Sequence, residues 1–532
     1  AANEGGAGMS GRPSFILFIT DQHRADYLGC YGHPILKTPN IDRIAERGVA
    51  FDRFYVASPV CMPNRSSLMT CRMPSSHGVT MNGVPLSQKN VTFVELLKAA
   101  GYRTALIGKS HLQTFTGVSP TLKVPPVREG YFRAEGDLSE AVRHDLYAPI
   151  YKVEEPDFWA GPQPKVPTPF YGFDHVELVT GHGDHIGGDY TAWLLEREPE
   201  AAKLIGAENQ LPHDYTCPQA VRTALPAELY STTYVAERAA AFIEGEKDDD
   251  QPFFLMVSWP DPHHPFNPPG KYWDMYDPDD FPVPDAFTRN DWTPPPHVAG
   301  VLSTRQTGRA NLTGMNAVGC TAREAQEAQA LTSGMITMID DAVGQVQAAL
   351  LASGRSAETV EIFTTDHGDH LGDHRLLFKG AEHYEQITRV PFIWADAAGE
   401  RGIRSDAIGQ THDIGATILE RAKIECAFGM QGQDLFGQAE RSAAFIQYAH
   451  QKDMDEIGLP PNIHSIHDGR FRLSVLQDMA WGELYDLETD PGEFQNLWDI
   501  LGYQADKARL LEDLVRAELA HVDRSPKPTG RA

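Results

Sequence analysis

Phe15-Ile16-Leu17-Phe18-Ile19-Thr20-Asp21-Gln22 is an unbroken apolar run that ends in an acidic residue. Such runs are typical of strands that are buried on both faces of a sheet. Val360-Glu361-Ile362-Phe363-Thr364-Thr365-Asp366-His367 repeats the arrangement far along the chain. Helical patterns alternate with strands of this kind. The sequence therefore predicts an α/β fold with a large mixed, mainly parallel sheet between layers of helices.

A capping signature predicts one of the covering helices. Thr92-x-x-Glu95 has the residues of a capping box, and Gly101 is suited to closing the helix that follows. The other predicted elements are strands over 104–108, 253–259 and 391–394, helices over 328–351, 413–424 and 506–522, and late strands over 471–475 and 483–486.

The elements divide the chain into two predicted domains. We expect an α/β domain over residues 10–425 and a smaller α+β subdomain, with a small antiparallel sheet and a helix, over 426–532. Residues from about 114 to 229 are rich in proline, glycine and acidic residues. We interpret that segment as a loop-rich insertion that walls a pocket or contacts another subunit.

Composition excludes several classes of protein. The formal charge of -27 argues against a nucleic-acid partner, which would need surplus lysine and arginine. The sequence has no apolar stretch of the roughly 20 residues that span a bilayer, so we expect no membrane insertion. Six cysteines without a CxxC pair form no disulfide framework and favour the cytoplasm. A periplasmic or secreted protein that had lost its signal would look the same.

The most informative local motif is Cys61-Met62-Pro63-Asn64-Arg65. Pro63 is suited to opening a helix, since its missing N–H would be unpaired there anyway. Free N–H groups and the helix dipole at that end favour an anion, and Arg65 adds a positive fork. The alternative is an ordinary buried cysteine beside a loop proline.

Two acidic pairs are candidates for a metal site. Asp21-Gln22 and Asp366-His367 each follow a predicted buried strand, and open α/β sheets bind ligands beyond the carboxyl ends of their strands. Carboxylate, amide and imidazole groups suit one divalent cation, with calcium or manganese the expected ions. Carboxylates at strand ends that cap helices or pair with arginines are the alternative.

Other polar residues are candidates for the same pocket. Lys109 and His111 are one residue apart on an extended segment, so both side chains point the same way. Asn82 is either a residue that orients the nucleophile or a turn residue before Gly83. Further candidates are His263 and His264 in Trp259-Pro260-Asp261-Pro262-His263-His264-Pro265-Phe266, and Lys379 in Leu377-Phe378-Lys379-Gly380.

Histidines and aspartates also cluster outside these motifs. Gly181-His182-Gly183-Asp184-His185 allows a second metal site, but turn geometry and solvation explain such a glycine-rich loop equally simply. Asp369-His370 and Asp373-His374 are expected to support the proposed ligand pair or to belong to a loop.

These motifs together resemble the sulfatase family, and the resemblance covers most of the chain. Cys61-x-Pro63-x-Arg65 resembles the family's modification signature, and Gly101-Tyr102-Arg103-Thr104-Ala105-Leu106-Ile107-Gly108-Lys109-Ser110-His111 its second signature. The resemblance implies an alkaline-phosphatase-like fold. It also implies that a formylglycine-generating enzyme oxidises Cys61 to an aldehyde, whose hydrate is held by one divalent cation.

The resemblance implies hydrolysis of small-molecule sulfate monoesters through a covalent sulfo-enzyme. A hydroxyl of the hydrated aldehyde would attack sulfur, with ionisation aided by Asp366, and His111 would later remove the proton of the other hydroxyl. His263 would protonate the leaving alcohol, with Lys379 as a candidate partner, while His264 would line the rim. The implied metal ligands are Asp21, Gln22, Cys61, Asp366 and His367, the catalytic residues Cys61, Arg65, Lys109, His111, His263 and Lys379, and the substrate-binding residues Asn82, Lys109, His263 and Lys379.

The chain departs from the family pattern at three positions. Asn64 stands where serine or alanine is usual, Cys71 where glycine is usual, and Gln22 where many members have aspartate. Phosphonate and phosphate-ester hydrolases of the same superfamily are the nearest alternative function. They typically lack the Lys-x-His pair that this chain has at Lys109 and His111, so we rank sulfate first and expect promiscuity. A non-catalytic binding protein on the same fold is an alternative of another class, and a dimer or tetramer is expected.

Overall fold

The computed structural model describes residues 11–118, 129–132, 146, 148–162, 164–247, 249–438, 441–449, 462–525 and 530. The strands are β1 Ser14–Thr20, β2 Val49–Tyr55, β3 Arg103–Gly108, β4 His175–His182, β5 His185–Gly188, β6 Phe253–Ser258, β7 Val318–Gly319, β8 Thr359–Thr365, β9 Leu376–Leu377, β10 Phe392–Ala395, β11 Ile403–Gln410, β12 Ala444–Ala449, β13 Asn462–His467, β14 Phe471–Leu476 and β15 Gly482–Asp486. The helices are α1 Pro39–Glu46, α2 Cys61–Thr70, α3 Pro74–His77, α4 Phe93–Ala99, α5 Pro156–Trp159, α6 Asp189–Arg197, α7 Ser231–Gly245, α8 Pro296–Gln306, α9 Ala322–Ala352, α10 Glu385–Thr388, α11 Asp413–Arg421 and α12 Gln504–Ala520.

A nine-stranded mixed sheet forms the centre of the fold. Its strand order is β11-β2-β10-β8-β1-β6-β3-β4-β5. The central strands from β8 to β4 run parallel to one another, whereas β10 and β5 run antiparallel to their neighbours. Strand β1 lies between β8 and β6, so Asp21, Asp366 and Trp259 follow three adjacent strands at one sheet edge.

Helices cover both faces of this sheet. Alternate residues of β1 belong to two separate apolar cores, with Ile16 and Phe18 in one and Phe15, Leu17 and Ile19 in the other. Helices α1, α7 and α9 supply apolar residues to the first core, and α2, α4 and α11 supply them to the second. The continuous apolar run at β1 is therefore explained by burial on both faces, and the predicted fold class is confirmed.

A second, antiparallel sheet of four strands follows, in the order β12-β13-β14-β15. Helix α12 packs against it through Leu510 and Leu514, which lie in one apolar cluster with Phe471 and Leu473. This agrees with the smaller C-terminal α+β region that the sequence predicts. The described residues include no helix long and apolar enough to cross a membrane.

The described part of the segment from 114 to 229 is not only the predicted loop-rich insertion, because it contributes two strands and a helix to the main domain. Strand β4 pairs in parallel with β3 and extends the main sheet, and β5 forms its edge. Helix α6 follows directly and buries Tyr190 and Leu194. Part of this segment therefore belongs to the sheet that carries the candidate site.

A buried charge cluster joins the C-terminal sheet to the main domain. Arg472 is fully buried between two buried carboxylates, with its Nη1 2.9 Å from Glu483 Oε2 and its Nε donating to Glu493. Glu493 Oε2 also accepts the backbone N–H of Glu385 at 2.7 Å. One guanidinium does not neutralise two carboxylates. Burial disfavours the charged form of Glu493 and raises its pKa to about 7, although Arg472 opposes the rise.

We expect this carboxyl to make the stability depend on pH. Its pKa is higher in the folded chain than its ordinary value of 4.5, so the folded state binds more protons than the unfolded state between those values. The contribution of Glu493 to the free energy of unfolding should fall as the pH rises from about 4.5 to about 7. Glu493→Gln should flatten that slope in urea unfolding curves. An equally steep slope in this variant would contradict the assignment.

Candidate active site

The site lies where the carboxyl ends of β1, β8, β6 and β3 meet the first turn of α2. Asp21 and Asp366 follow β1 and β8, Lys109 follows β3, and Cys61 is the first residue of α2. Gly108 allows the close approach of β3 to β6, because it has a φ of +111° and a Cβ there would lie 1.8 Å from the carbonyl oxygen of Ser258. The Lys109 N–H instead donates to that oxygen at 2.8 Å.

Four of the five predicted metal ligands come together in a buried group. Ligand atoms of Asp21, Cys61, Asp366 and His367 all lie within 4.8 Å of one another. His367 Nε2 is 3.1 Å from Cys61 Sγ and 3.7 Å from an oxygen of each carboxylate. His367 Nδ1 faces the carbonyl of Gly368 at 2.9 Å, so Nδ1 carries the hydrogen and the Nε2 lone pair faces the group. This donor set fits one divalent cation.

Gln22 lies beside this group with its amide turned to other partners. Its Oε1 accepts from Lys379 Nζ at 2.7 Å, while its Nε2 is 3.0 Å from His264 Nδ1 and donates to Asp369. Its backbone N–H donates to Asp366 Oδ1 at 3.1 Å. Gln22 therefore contacts Lys379 through its side chain and the proposed ligand Asp366 through its backbone, and a metal-binding role for its amide stays a prediction.

Arg65 directs its donors at buried carboxylates and other polar groups of the site. Its Nε donates to Asp366 Oδ2 at 2.7 Å, and its Nη2 lies 4.0 Å from Asp21 Oδ2. Its remaining donors reach the Lys109 carbonyl, Ser258 Oγ and the Thr20 carbonyl, at 3.2, 3.0 and 3.4 Å. The sequence predicts that this guanidinium faces an anion. In the structure its donors instead hold the Asp21 and Asp366 carboxylates in place.

The first turn of α2 fixes Cys61 against this group. The helix begins at Cys61, two residues before the proline that was expected to open it. Asn82 Oδ1 accepts the Met62 N–H at 3.0 Å, which ties the turn after α3 to the helix start. Asn64 accepts the Ala57 N–H at 2.9 Å and donates to the Asp366 carbonyl. The unusual Asn64 thus connects the Cys61–Arg65 motif to the Asp366-His367 pair.

The unusual Cys71 has a structural explanation. It is the C-cap of α2 and has a φ of +54°, the left-handed conformation in which glycine is common. Its thiol packs against α11, since a Cβ on Gly415 would lie 2.5 Å from Cys71 Sγ. Burial raises its pKa well above the usual range, so this thiol is unreactive.

Lys109 stands over the predicted metal ligands. Its ammonium donates to Asp21 Oδ2 and is fully buried. Burial alone would raise the pKa of Asp21, but the charge of Lys109, together with that of Arg65, outweighs it and holds that pKa well below its usual range. Asp21 is therefore an ionised carboxylate, as a metal ligand must be.

His111 is held by a buried carboxylate that sequence reasoning missed. Glu154 Oε2 accepts the backbone N–H of His111 at 2.8 Å, and its Oε1 accepts those of Leu112 and Gln113 at 3.1 and 2.9 Å. Burial, followed by Lys109, lowers the pKa of His111 well below its usual range, so the ring is neutral. Its Nδ1 has no hydrogen-bond partner among the described residues. A neutral imidazole with an unused nitrogen can accept a proton.

Glu154→Ala should therefore weaken both the fold and the site. Three buried N–H groups would lose their acceptor, which we expect to lower the free energy of unfolding by about 3 kcal/mol. Displacement of His111 should also lower kcat. Chemical denaturation and turnover measure the two effects. The neighbouring Glu155→Ala is the control, because that partly exposed carboxylate accepts only from Thr114 Oγ1 at 2.9 Å in the described residues. Parental stability and kcat in Glu154→Ala would contradict this role.

His263 and Lys379 form a hydrogen-bonded pair on another side of the site. Lys379 Nζ is 2.6 Å from His263 Nε2, and His263 Nδ1 faces the carbonyl of His264. A ring nitrogen that faces a carbonyl is the donor, so Nε2 accepts from the lysine. The prediction that His264 lines the rim is wrong. It is fully buried and stacks between His263 and Phe378, with ring centroids 4.2 and 3.8 Å apart.

The glycine-rich 181–185 segment brings one unassigned residue into the site. His182, the last residue of β4, lies 2.8 Å from Lys109 Nζ and stacks on His263 at 3.7 Å. Asp184 instead accepts the Gly206 N–H at 3.1 Å, and His185 is exposed. The interpretation of 181–185 as a metal cluster of its own therefore does not fit.

A second group of possible metal ligands consists of Asp21, His182 and His263. Lys109 donates towards His182 Nε2 and Lys379 towards His263 Nε2, at 2.8 and 2.6 Å. Both imidazole lone pairs thus face ammonium groups, which would repel a second dication. This group therefore does not suit a second metal ion.

Comparison with known families decides where the chain belongs. A family model described as Sulfatase matches residues 13–424. The chain belongs to the sulfatase family. A second model, described as N-sulphoglucosamine sulphohydrolase, C-terminal, matches residues 372–520 of this sulfatase. That match begins well before position 426, so the predicted domain boundary there stays a prediction.

Relatives of this sulfatase extend over nearly its whole length. The multifunctional alkaline phosphatase superfamily protein PehA of Trinickia caryophylli is 28% identical over 539 residues, 97% of this chain and 96% of the relative. An arylsulfatase of Clostridium perfringens is 28% identical over 495 residues, 91% and 90% of the two chains. The crystal structure of the phosphonate monoester hydrolase of Agrobacterium radiobacter superposes with a TM-score of 0.75 at 24% identity, covering 97% of each chain. The predicted family and fold are confirmed.

Proposed function

We propose that this sulfatase hydrolyses sulfate monoesters of small molecules, with Cys61 converted to formylglycine as the nucleophile. The observation that carries the proposal is the meeting of Cys61, the Asp21 and Asp366 carboxylates, His367 and the Lys109 ammonium in one buried cluster. Phosphonate and phosphate esters are the second candidate class, because the Agrobacterium structure that is similar over almost the whole chain is a phosphonate monoester hydrolase.

The unmodified thiol is a poor nucleophile at this position. Burial, followed by the charge of Asp21, raises the pKa of Cys61 to about 12, so the thiolate is scarce near neutral pH. A hydrated aldehyde would instead offer one hydroxyl that attacks sulfur. Loss of the proton from the second hydroxyl would then break the carbon–oxygen bond to the sulfate. Cys61 is 1% exposed, so an enzyme that oxidises it must act before the chain has folded.

The metal would be held by Asp21, Asp366, His367 and the residue at position 61, with Gln22 beside them. When bound, such a cation would lower the cost of ionising the attacking hydroxyl and offset charge on the ester. Carboxylate oxygens favour calcium, and the histidine among them favours manganese. Metal analysis of the protein as isolated, followed by chelation and re-addition of each ion, would identify which one supports turnover.

The lysines and histidines divide the remaining tasks. Lys109 and Lys379 would neutralise the ester oxygens, the electrostatic contribution that usually dominates such transfers. Lys379 with His263 would supply the proton of the leaving alcohol, since the shared hydrogen lies on the lysine while burial, followed by His182 and Lys379, lowers the pKa of His263. His111 would then remove a proton from position 61 so that sulfate leaves. Arg65 and Asn82 would position the carboxylates and the nucleophile.

The choice between ester classes can be measured directly. We expect kcat/KM for a nitrophenyl sulfate to exceed that for the matched nitrophenyl phenylphosphonate by at least about tenfold, which corresponds to about 1.4 kcal/mol. Both esters carry a single negative charge, but a sulfuryl group offers three unesterified oxygens to Lys109, Lys379 and the cation, whereas the phenylphosphonate offers two and places a phenyl ring where the third would lie. A large preference for the phosphonate would reverse the ranking, and hydrolysis of neither ester would refute both candidates.

Six free thiols, two of them buried in the apolar cores, also favour the cytoplasm as the site of action. Cell fractionation of the native host would test this location.

A further inference from the structure

His182 is placed in the site by the turn between β4 and β5. Gly181, just before it, has a φ of +90°, and a Cβ there would lie 2.5 Å from the carbonyl oxygen of His185. Only glycine fits this close approach without displacing backbone. The turn therefore directs the last side chain of β4 towards Lys109, and the His182 side chain is only 8% exposed.

The contacts of His182 define what its ring can do. Its Nε2 is 2.8 Å from Lys109 Nζ and 3.5 Å from Asp21 Oδ2. An ammonium group has donors only, so the ring nitrogen that faces it is an acceptor. The ring face stacks on His263 with centroids 3.7 Å apart and planes 13° apart. His182 thus offers two separable properties, a hydrogen-bond acceptor and a flat ring.

Lys109 would need this acceptor once a cation is bound. In the structure its ammonium donates to Asp21, a proposed metal ligand, and to His182. A dication bound to Asp21 would weaken the attraction between that carboxylate and the Lys109 ammonium. It would also repel the ammonium directly. The neutral His182 would still hold it. Among the described residues this leaves one N–H of Lys109 to meet an oxygen of the anion.

We propose that His182 is a positioning residue that keeps the Lys109 ammonium directed at the sulfuryl oxygens while the metal occupies Asp21. The inference rests on the proposed function, because it concerns how the same site binds its anionic group. It also gives a role to His182, which lies outside both family signatures.

Two substitutions separate the acceptor from the ring. His182→Gln keeps an acceptor oxygen within reach of Lys109 but cannot stack on His263. His182→Phe keeps the ring and loses the acceptor. Both are compared with the parent as metal-loaded protein from the native host, with metal content and Tm measured on each so that a folding defect is recognised.

Binding of inorganic sulfate, measured by calorimetry, is the first readout because it needs no turnover. We expect His182→Gln to bind sulfate nearly as tightly as the parent, and His182→Phe to bind it about 10- to 100-fold more weakly, as loss of a hydrogen bond to a charged group predicts. Ester kinetics should show the same order, with most of the loss of His182→Phe in KM.

The opposite order, with His182→Phe intact and His182→Gln impaired, would show that ring stacking matters and would overturn the proposal. Equal loss in both variants, or no loss in either, would overturn it as well. A parent that binds sulfate but hydrolyses no ester would refute the proposed function, whereas the sulfate series would still test His182.

Discussion

Replacing Cys61 with alanine is expected to lower kcat for an aryl sulfate by about 10⁴-fold or more, as removal of a covalent nucleophile does in other enzymes. Cys61 Sγ lies in the cluster of predicted metal ligands, 3.1 Å from His367 Nε2. No other described cysteine belongs to that cluster. Steady-state kinetics on protein from the native host would measure the loss.

Cys71→Ala is the matched control for this substitution. Cys71 ends the same helix, is equally buried, and has the left-handed backbone that alanine tolerates about as well as cysteine does. Because its thiol packs against α11 and lies outside the cluster, turnover should be unchanged. Parental turnover in Cys61→Ala would show that another group is the nucleophile.

Arg65→Met should produce the largest combined loss of stability and activity. The substitution leaves the buried Asp366 carboxylate without its 2.7 Å partner and removes the cation nearest Asp21 after Lys109. Breaking a buried pair of this kind typically costs about 3 to 5 kcal/mol. Loss of the group that orients a ligand should also lower metal affinity about 10- to 100-fold. Urea unfolding and metal titration would measure both effects.

Arg103→Met provides the comparison, since Arg103 is half exposed and pairs with Glu246 at the far end of β3. Surface pairs contribute about 0 to 1 kcal/mol, so its stability should hardly change. If Arg65→Met were as stable as Arg103→Met and bound metal normally, the role assigned to Arg65 would be wrong.

The strands and helices that sequence reasoning predicted well are those with strong local signals. The apolar run of β1 and the capping box at Thr92 and Glu95 are both present in the structure. Helix α9 begins at Ala322, six residues before the predicted start, because Thr321 and Glu324 form a second capping box. The same Thr-x-x-Glu signature is present in the sequence at this position.

The missed parts of the site depend on contacts between distant segments. Strand β4 has charged and exposed positions near its start, so its pattern does not resemble a buried strand, yet it supplies His182. His182 meets Lys109, 73 positions earlier, only because β3 and β4 pair in parallel. Likewise, the sequence identified Arg65 but could not show that its donors face Asp366. Residue type and spacing predicted the members of the cluster, whereas tertiary packing determined their partners.

The central claim is that position 61 carries an aldehyde in the working enzyme. Mass spectrometry of the peptide containing residue 61, from active protein made in the native host, tests it most directly. The account predicts that the thiol is replaced by an aldehyde that reacts with a hydrazide probe, in a fraction that rises in proportion to kcat among preparations. An intact Cys61 thiol in fully active protein would contradict it.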